Sequence, residues 1–200
     1  MSDPETQRPQ QDSESVLSTL LTVHQIPVGP WGTDRAKPLS NLITELEAGE
    51  SRLVIVDGEL QRQTSVLGVN VYYEQGASLL RLVESEQIFH DGRVRQRQLS
   101  TSLGEKLLIT EEPDEDAALR ALTEELGIQP DGIKFLEHTG GEVVVRRSVS
   151  YPGLSTRYQL DYYVAVLNSD GFDPEGYIEE QADKYTVFEW KFVGDDGQVC

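Results

Sequence analysis

One segment constrains this chain more than any other. Residues 112–128 read EPDEDAALRALTEELGI, and only here do helix-start, helix-stripe and helix-stop signals coincide. Pro113 suits an early helical position, and Asp114, Glu115 and Asp116 place acids where the helix dipole is positive. Ala118, Leu122 and Leu126 recur at i, i+4, i+8 and make one apolar stripe. Gly127 is a natural residue just past a helix end, and Pro130 follows it. Almost everything around this helix has the period of strands. Ser51–Asp57, Thr64–Tyr73, Leu79–Phe89 and Arg93–Leu99 precede it, with Asp91–Gly92 as a hairpin signal. Ile133–Leu136, Glu142–Val149, Arg157–Leu167 and Tyr185–Val193 follow it. Many strands around one strong helix predict an α/β or α+β fold on a mixed sheet.

The same segment carries a family resemblance. It resembles the Nudix box, G-x5-E-x7-R-E-U-x-E-E-x-G-U, where U is bulky and aliphatic. Glu112 fits the first Glu, Arg120 the Arg after seven intervening residues, and Leu122, Glu124, Glu125, Gly127 and Ile128 follow in register. The resemblance spans roughly residues 51–193. It implies an α/β/α sandwich with a mixed β-sheet and one box helix, and metal-dependent cleavage of a pyrophosphate. Glu112, Arg120 and Gly127 would be the structural residues of the box, with Glu112 pairing with Arg120. Glu124 and Glu125 would be catalytic and would ligate Mg²⁺ or Mn²⁺, since hard cations prefer carboxylate oxygen. Two positions depart from the pattern. The family's Gly falls at Lys106, and its second Glu is Ala121. Residues 121 and 125 share a helix face, so Ala121 removes a carboxylate that would converge with that of Glu125.

Other candidates lie outside the box. Arg93, Arg95 and Arg97 alternate, which on a strand would set three guanidiniums on one face, able to grip a diphosphate. Lys106 could bring an ammonium to the same phosphates. Arg146 and Arg147 would point to opposite faces of a strand. Tyr151 and Tyr158 suit either stacking on a ligand or core packing. The acidic stretch 171–183 reads as a loop, and the resemblance makes Glu179, Glu180 and Asp183 candidates for further metal ligands. His24, His90 and His138 show no ligand spacing.

Composition narrows the partners. With 17 Lys+Arg against 35 Asp+Glu, the formal charge is −18, which argues against nucleic acid or anionic lipid as a partner. The lone Cys200 supports neither an internal disulfide framework nor a cysteine zinc site. No secretory, transit or membrane-spanning pattern is legible, so the expected location is cytoplasmic. Residues 1–15 are polar and aperiodic and predict a disordered tail. Residues 16–50 would form an N-terminal extension that includes a helix around Leu39–Leu46, and 51–200 the Nudix-like domain. The expected function is binding or cleavage of a nucleoside-diphosphate-linked small molecule, with hydrolysis weakened or lost by the degenerate box. The alternative is a non-catalytic ligand-binding or regulatory module. Oligomeric state is open, and a homodimer is compatible with the sequence.

Overall fold

The computed structural model describes residues 8–96 and 101–194, with backbone alone for 8–13. Its helices are α1 (Arg8–Val23), α2 (Leu39–Glu47) and α3 (Glu115–Leu126). Its strands are β1 (Arg52–Val56), β2 (Glu59–Gln75), β3 (Ser78–Phe89), β4 (Val94–Arg95), β5 (Leu103–Leu107), β6 (Ile133–Arg147), β7 (Ser155–Leu167), β8 (Tyr177–Glu180) and β9 (Lys184–Phe192). This is the expected α/β class, an open mixed sheet with few helices. Among the described residues the strands run in the hydrogen-bonded order β6-β7-β2-β3-β9-β8, with β1 and β5 also on β2 and β4 on β3. The pairs β1–β2, β2–β3, β3–β4, β3–β9 and β8–β9 are antiparallel. No described helix is long and apolar enough to cross a membrane.

The chain divides into two compact units. The first comprises residues up to Ser65, Lys106–Glu111 and Glu142–Gln159. Its core is Leu17, Leu21, Trp31, Leu42, Ile43, Leu60, Tyr151 and Leu154. Residues of the 16–50 extension share this core with Leu60, Tyr151 and Leu154. Leu17 and Leu21 lie four apart on α1, Leu42 and Ile43 lie on α2, and both helices close over the same apolar cluster as Leu60 of β2. Apolar residues return from Ser15 to Val28 in a pattern that suits either a short helix or a strand, and burial of that stripe accounts for the helix. α1 begins at Arg8, inside the stretch expected to be disordered, and residues 1–7 lie outside the described residues. Tyr151 is fully buried in this core, its ring 5.1 Å from that of Trp31, which settles it as a packing residue.

The second unit comprises Val66–Glu105, Glu112–Gly141 and the chain from Leu160 on. Its α3 forms as the sequence predicts, with one shift at the start. Asp114 is the N-cap and accepts from the Ala117 N–H at 2.9 Å, so Pro113 stands outside the helix. Ala117, Ala118, Ala121, Leu122 and Leu126 are the buried face. Gly127 closes the helix at φ 70, a left-handed conformation that costs glycine little.

Two strand expectations change. The stretches expected as two strands, Ile133–Leu136 and Glu142–Val149, are joined in one strand, β6, which runs on through Thr139–Gly140–Gly141 and ends at Arg147. A Cβ at Gly140 would collide with the buried Asp161 carboxylate, and the Gly141 N–H donates to Asp161 Oδ1 at 3.2 Å. The glycines let the backbone pass Asp161 rather than end the strand. The acidic stretch 171–183 is not wholly loop, because Tyr177–Glu180 form β8 along β9. Tyr177 fastens the preceding turn: its hydroxyl donates to Gly171 O and accepts from the Asp173 N–H.

Candidate active site

The box helix, two inward strand positions and β8 bring four carboxylates into mutual influence, all within the second unit. Glu125 is the centre. It lies on the partly buried side of α3, one turn beyond Ala121. Burial pushes its carboxyl up from the usual 4.5 to about 8, and the charges of Glu179, Glu105 and Glu84 and a hydrogen bond with Glu105 push the same way. A carboxyl of that kind holds a proton at neutral pH because it is buried and its neighbours are also acids.

Each neighbour arrives by a local rule. In β3, Leu80, Leu82 and Glu84 occupy successive buried positions of period two. Glu84 also sits where the β3–β9 register shifts, opposite Phe188, before Glu86 opposes Val187. Bulges of this kind re-aim side chains and are common beside functional sites. In β5, Leu103 and Leu107 are buried and Glu105 lies between them on the same side. β8 packs on α3, and Glu179 is its half-buried acid. The side-chain amide of Gln181 donates to Glu179.

The sequence-derived candidates separate accordingly. Glu125 and Glu179 come together, whereas Glu124 and Glu180 are exposed. Glu124 is about 100° around the helix from Glu125, and Glu180 points away from Glu179 by strand alternation. Asp183 is exposed as well. Ala121 is 1% exposed, so its methyl is part of the helix packing face.

Lys106 is placed elsewhere than expected. Within the first unit its Nζ lies 2.6 Å from Glu50 Oε2 and 3.4 Å from Glu45 Oε2. The alternation of β5 that turns Glu105 one way turns Lys106 the other. Of the arginine trio, Arg95 alone among the described residues lies on a strand. β4 contains only Val94 and Arg95, and Arg97 lies outside the described residues. Arg93 belongs to the Asp91–Gly92 turn. Its Nε donates to Asp91 Oδ2 at 2.7 Å and its guanidinium lies 4.6 Å from the Phe89 ring centre. That hydrogen bond from Arg93 holds the exposed Asp91 carboxyl below its usual value. Arg95 is exposed beside Gln87. Glu112 and Arg120 are both exposed.

Glu84 and Glu105 were the residues that sequence reading missed. Each is an acid in an apolar period-two register, a pattern visible in RLVE and LGEKL. The donor chemistry suits a hard divalent cation: all-oxygen, and so rich in negative charge that one carboxyl stays protonated. No three described His, Cys, Asp or Glu residues converge closely enough to hold an ion as they stand.

Comparison with known proteins places these features beside a set of solved structures. No family model matches the chain, and no curated protein matches it in sequence. The chain is similar in fold to a C. elegans Ap4A hydrolase, with 16% identity over 66% of this chain and 83% of that one, at a TM-score of 0.40. RenU, a Nudix hydrolase from M. smegmatis, has 14% identity over 71% and 80%, at 0.40. The NUDIX domain of Shewanella oneidensis NrtR, solved with ADP ribose, has 15% identity over 69% and 78%, at 0.39.

Proposed function

We propose that this chain binds a nucleoside-diphosphate-linked small molecule through a divalent cation, Mg²⁺ or Mn²⁺, at the Glu125 cluster, and that the same site supports slow pyrophosphate hydrolysis. The observation that carries this reading is the Glu125 carboxyl at about 8, raised by burial and by Glu179, Glu105 and Glu84. Structural acids are ordinarily paired with cations; a half-buried group surrounded by its own kind is a site that needs positive charge. Glu125, Glu105, Glu179 and Glu84 would hold the ion. A hard cation held there would supply charge neutralisation for phosphoryl oxygens and an activated water. Glu125 must lose its proton for the carboxylate to ligate, so cation binding near neutrality releases that proton. The carboxylate that Ala121 does not supply is replaced by acids from the sheet, Glu105 and Glu84. The sequence match to the box, with Glu112, Arg120 and Gly127 in register, gives the reaction class.

A second reading is binding without turnover. Its specific support is the buried Ala121, which leaves α3 with one inward carboxylate.

Calorimetric titration with Mn²⁺ at pH 7, in two buffers of different ionisation enthalpy, tests the site. About one proton should leave per ion bound, and Glu125→Gln should abolish the release and weaken binding. Equal binding by parent and variant overturns the reading. A panel of nucleotide sugars, ADP-ribose, dinucleoside polyphosphates and NADH, scored for both binding and cleavage, then separates enzyme from binding module.

A further inference from the structure

The two ends of the strand order differ. β8 has four residues, two of them glutamates, which is how natural sheets blunt an edge. β6 has 15 residues, and among the described residues β7 is its one strand neighbour. Its segment within the first unit, Glu142–Arg147, reads EVVVRR and is exposed at every position but Val144, which is half-buried. Val143 and Val145 are 45% and 49% exposed. A long, apolar, uncovered edge invites another strand.

The sequence of this segment specifies which strand. Laid antiparallel on a second copy about Val144, it is self-complementary. Glu142 of each copy faces Arg146 of the other, Val143 faces Val145, and Val144 faces Val144. Directly opposed residues in an antiparallel pair share a face. One face therefore carries the Val144 pair flanked by two Glu142–Arg146 contacts, and the other carries four valines. β-branched and opposite-charge pairs are both favourable in this position. A two-fold axis requires that a patch complement itself, and a strand with its acid two residues before its central valine and its arginine two after does so. We propose that the Glu142–Arg147 edge of β6 pairs antiparallel with the same edge of a second copy, forming a symmetric dimer.

The contact is small, and 18 net negative charges on each copy oppose it, so assembly belongs at roughly tens of micromolar at 0.15 M salt. Sedimentation velocity of the full chain over a wide concentration range should show a monomer–dimer equilibrium. Glu142→Arg alone sets arginine against arginine, and Arg146→Glu alone sets glutamate against glutamate. Each should raise the dimer dissociation constant about tenfold or more. Mixed one to one, the two variants should associate again, because the new arginine at 142 meets the new glutamate at 146 and Arg146 meets Glu142. Recovery in the mixture also shows that both variants are folded. A parent that stays monomeric throughout leaves the edge to a strand of some other protein and overturns the proposal. So does a dimer that neither substitution weakens, or, with both variants folded by circular dichroism, a mixture that fails to recover.

Discussion

Two glutamates, one in each unit, occupy opposite electrostatic worlds. Glu45 in α2 is 5% exposed and surrounded by cations. Arg62 donates to its Oε2 through Nε at 3.0 Å and Nη2 at 2.7 Å, and Lys37 donates to Oε1 at 2.8 Å. Lys106 stands 3.4 Å away, and the Tyr151 hydroxyl donates to Oε1 at 3.0 Å. Burial alone would push this carboxyl up, but the Lys37 hydrogen bond and the charges of Arg62, Lys106 and Lys37 outweigh it and hold it at about 2. Glu125, also sequestered, has acids for neighbours and stands at about 8. The same side chain is thus an ionised structural hub in one place and a protonated acid among acids in the other. What separates them is the company each keeps rather than depth. A buried carboxylate that finds its cations within the fold stays ionised; one that finds other acids keeps its proton.

The largest expected effect comes from breaking the satisfied site. Glu45→Ala leaves the guanidinium of Arg62, itself 7% exposed, buried without its carboxylate, and it also strips the Tyr151 hydroxyl of its acceptor. Breaking a buried pair by removing one member costs about 3–5 kcal/mol, or roughly 10 °C in a chain of this size. Thermal unfolding followed by circular dichroism measures it. A loss of a degree or two would mean that the cluster is decoration on the apolar core rather than part of it.

A pH series sharpens the contrast next, because the two sites have opposite signs. Glu45 is depressed in the folded chain, so its contribution is complete above its usual 4.5 and is lost as pH falls toward about 2. Glu125 is raised. Between 4.5 and about 8 the folded chain holds a proton that the unfolded chain has released, so stability falls as pH rises through that window. The penalty at pH 8.5 is about 2–4 kcal/mol. The metal-free protein should therefore melt lower at pH 8.5 than at pH 5.5. Glu125→Gln should flatten that slope, while its acid limb below pH 4 stays as in the parent. An alkaline slope unchanged by the substitution would show that Glu125 is not the strained group.

How much of this the sequence made legible follows from where the information lay. α3 was readable because its cap, stripe and stop are local and agree. β1, β3, β7 and β9 were readable from period two. α1 was legible only as a helix or a strand, since its burial depends on Leu42, Ile43 and Tyr151, residues distant in sequence. β8 was hidden by acidity: Glu179 and Glu180 looked like solvated loop until pairing with Tyr185 and Thr186 gave them opposite faces. The site showed the same pattern. Glu125 came from the box, but Glu84 and Glu105 come from strands whose convergence no local spacing encodes. Position in the box does not encode the direction of Lys106, which strand alternation turns to Glu45 and Glu50.

The smallest effect is expected where a box pair is most prominent in the sequence. Arg120 and Glu112 match the box in register and suggest a buried clasp at the helix entrance. Both are exposed, and exposed ion pairs contribute about 0–1 kcal/mol, because water screens them and two long side chains must be immobilised. The entrance of α3 already has its own device, the Asp114 carboxylate on the Ala117 N–H. Alanine, moreover, is the stronger helix former by a few tenths of a kcal/mol. Arg120→Ala should therefore shift the melting temperature by no more than about 3 °C, against roughly 10 °C for Glu45→Ala. Measured side by side, the two variants separate a guanidinium that the fold has enclosed with its carboxylate from one that stands exposed on α3. Equal losses would mean that exposure does not grade these pairs, and that Arg120 holds the box loop in place as firmly as Arg62 holds the first unit.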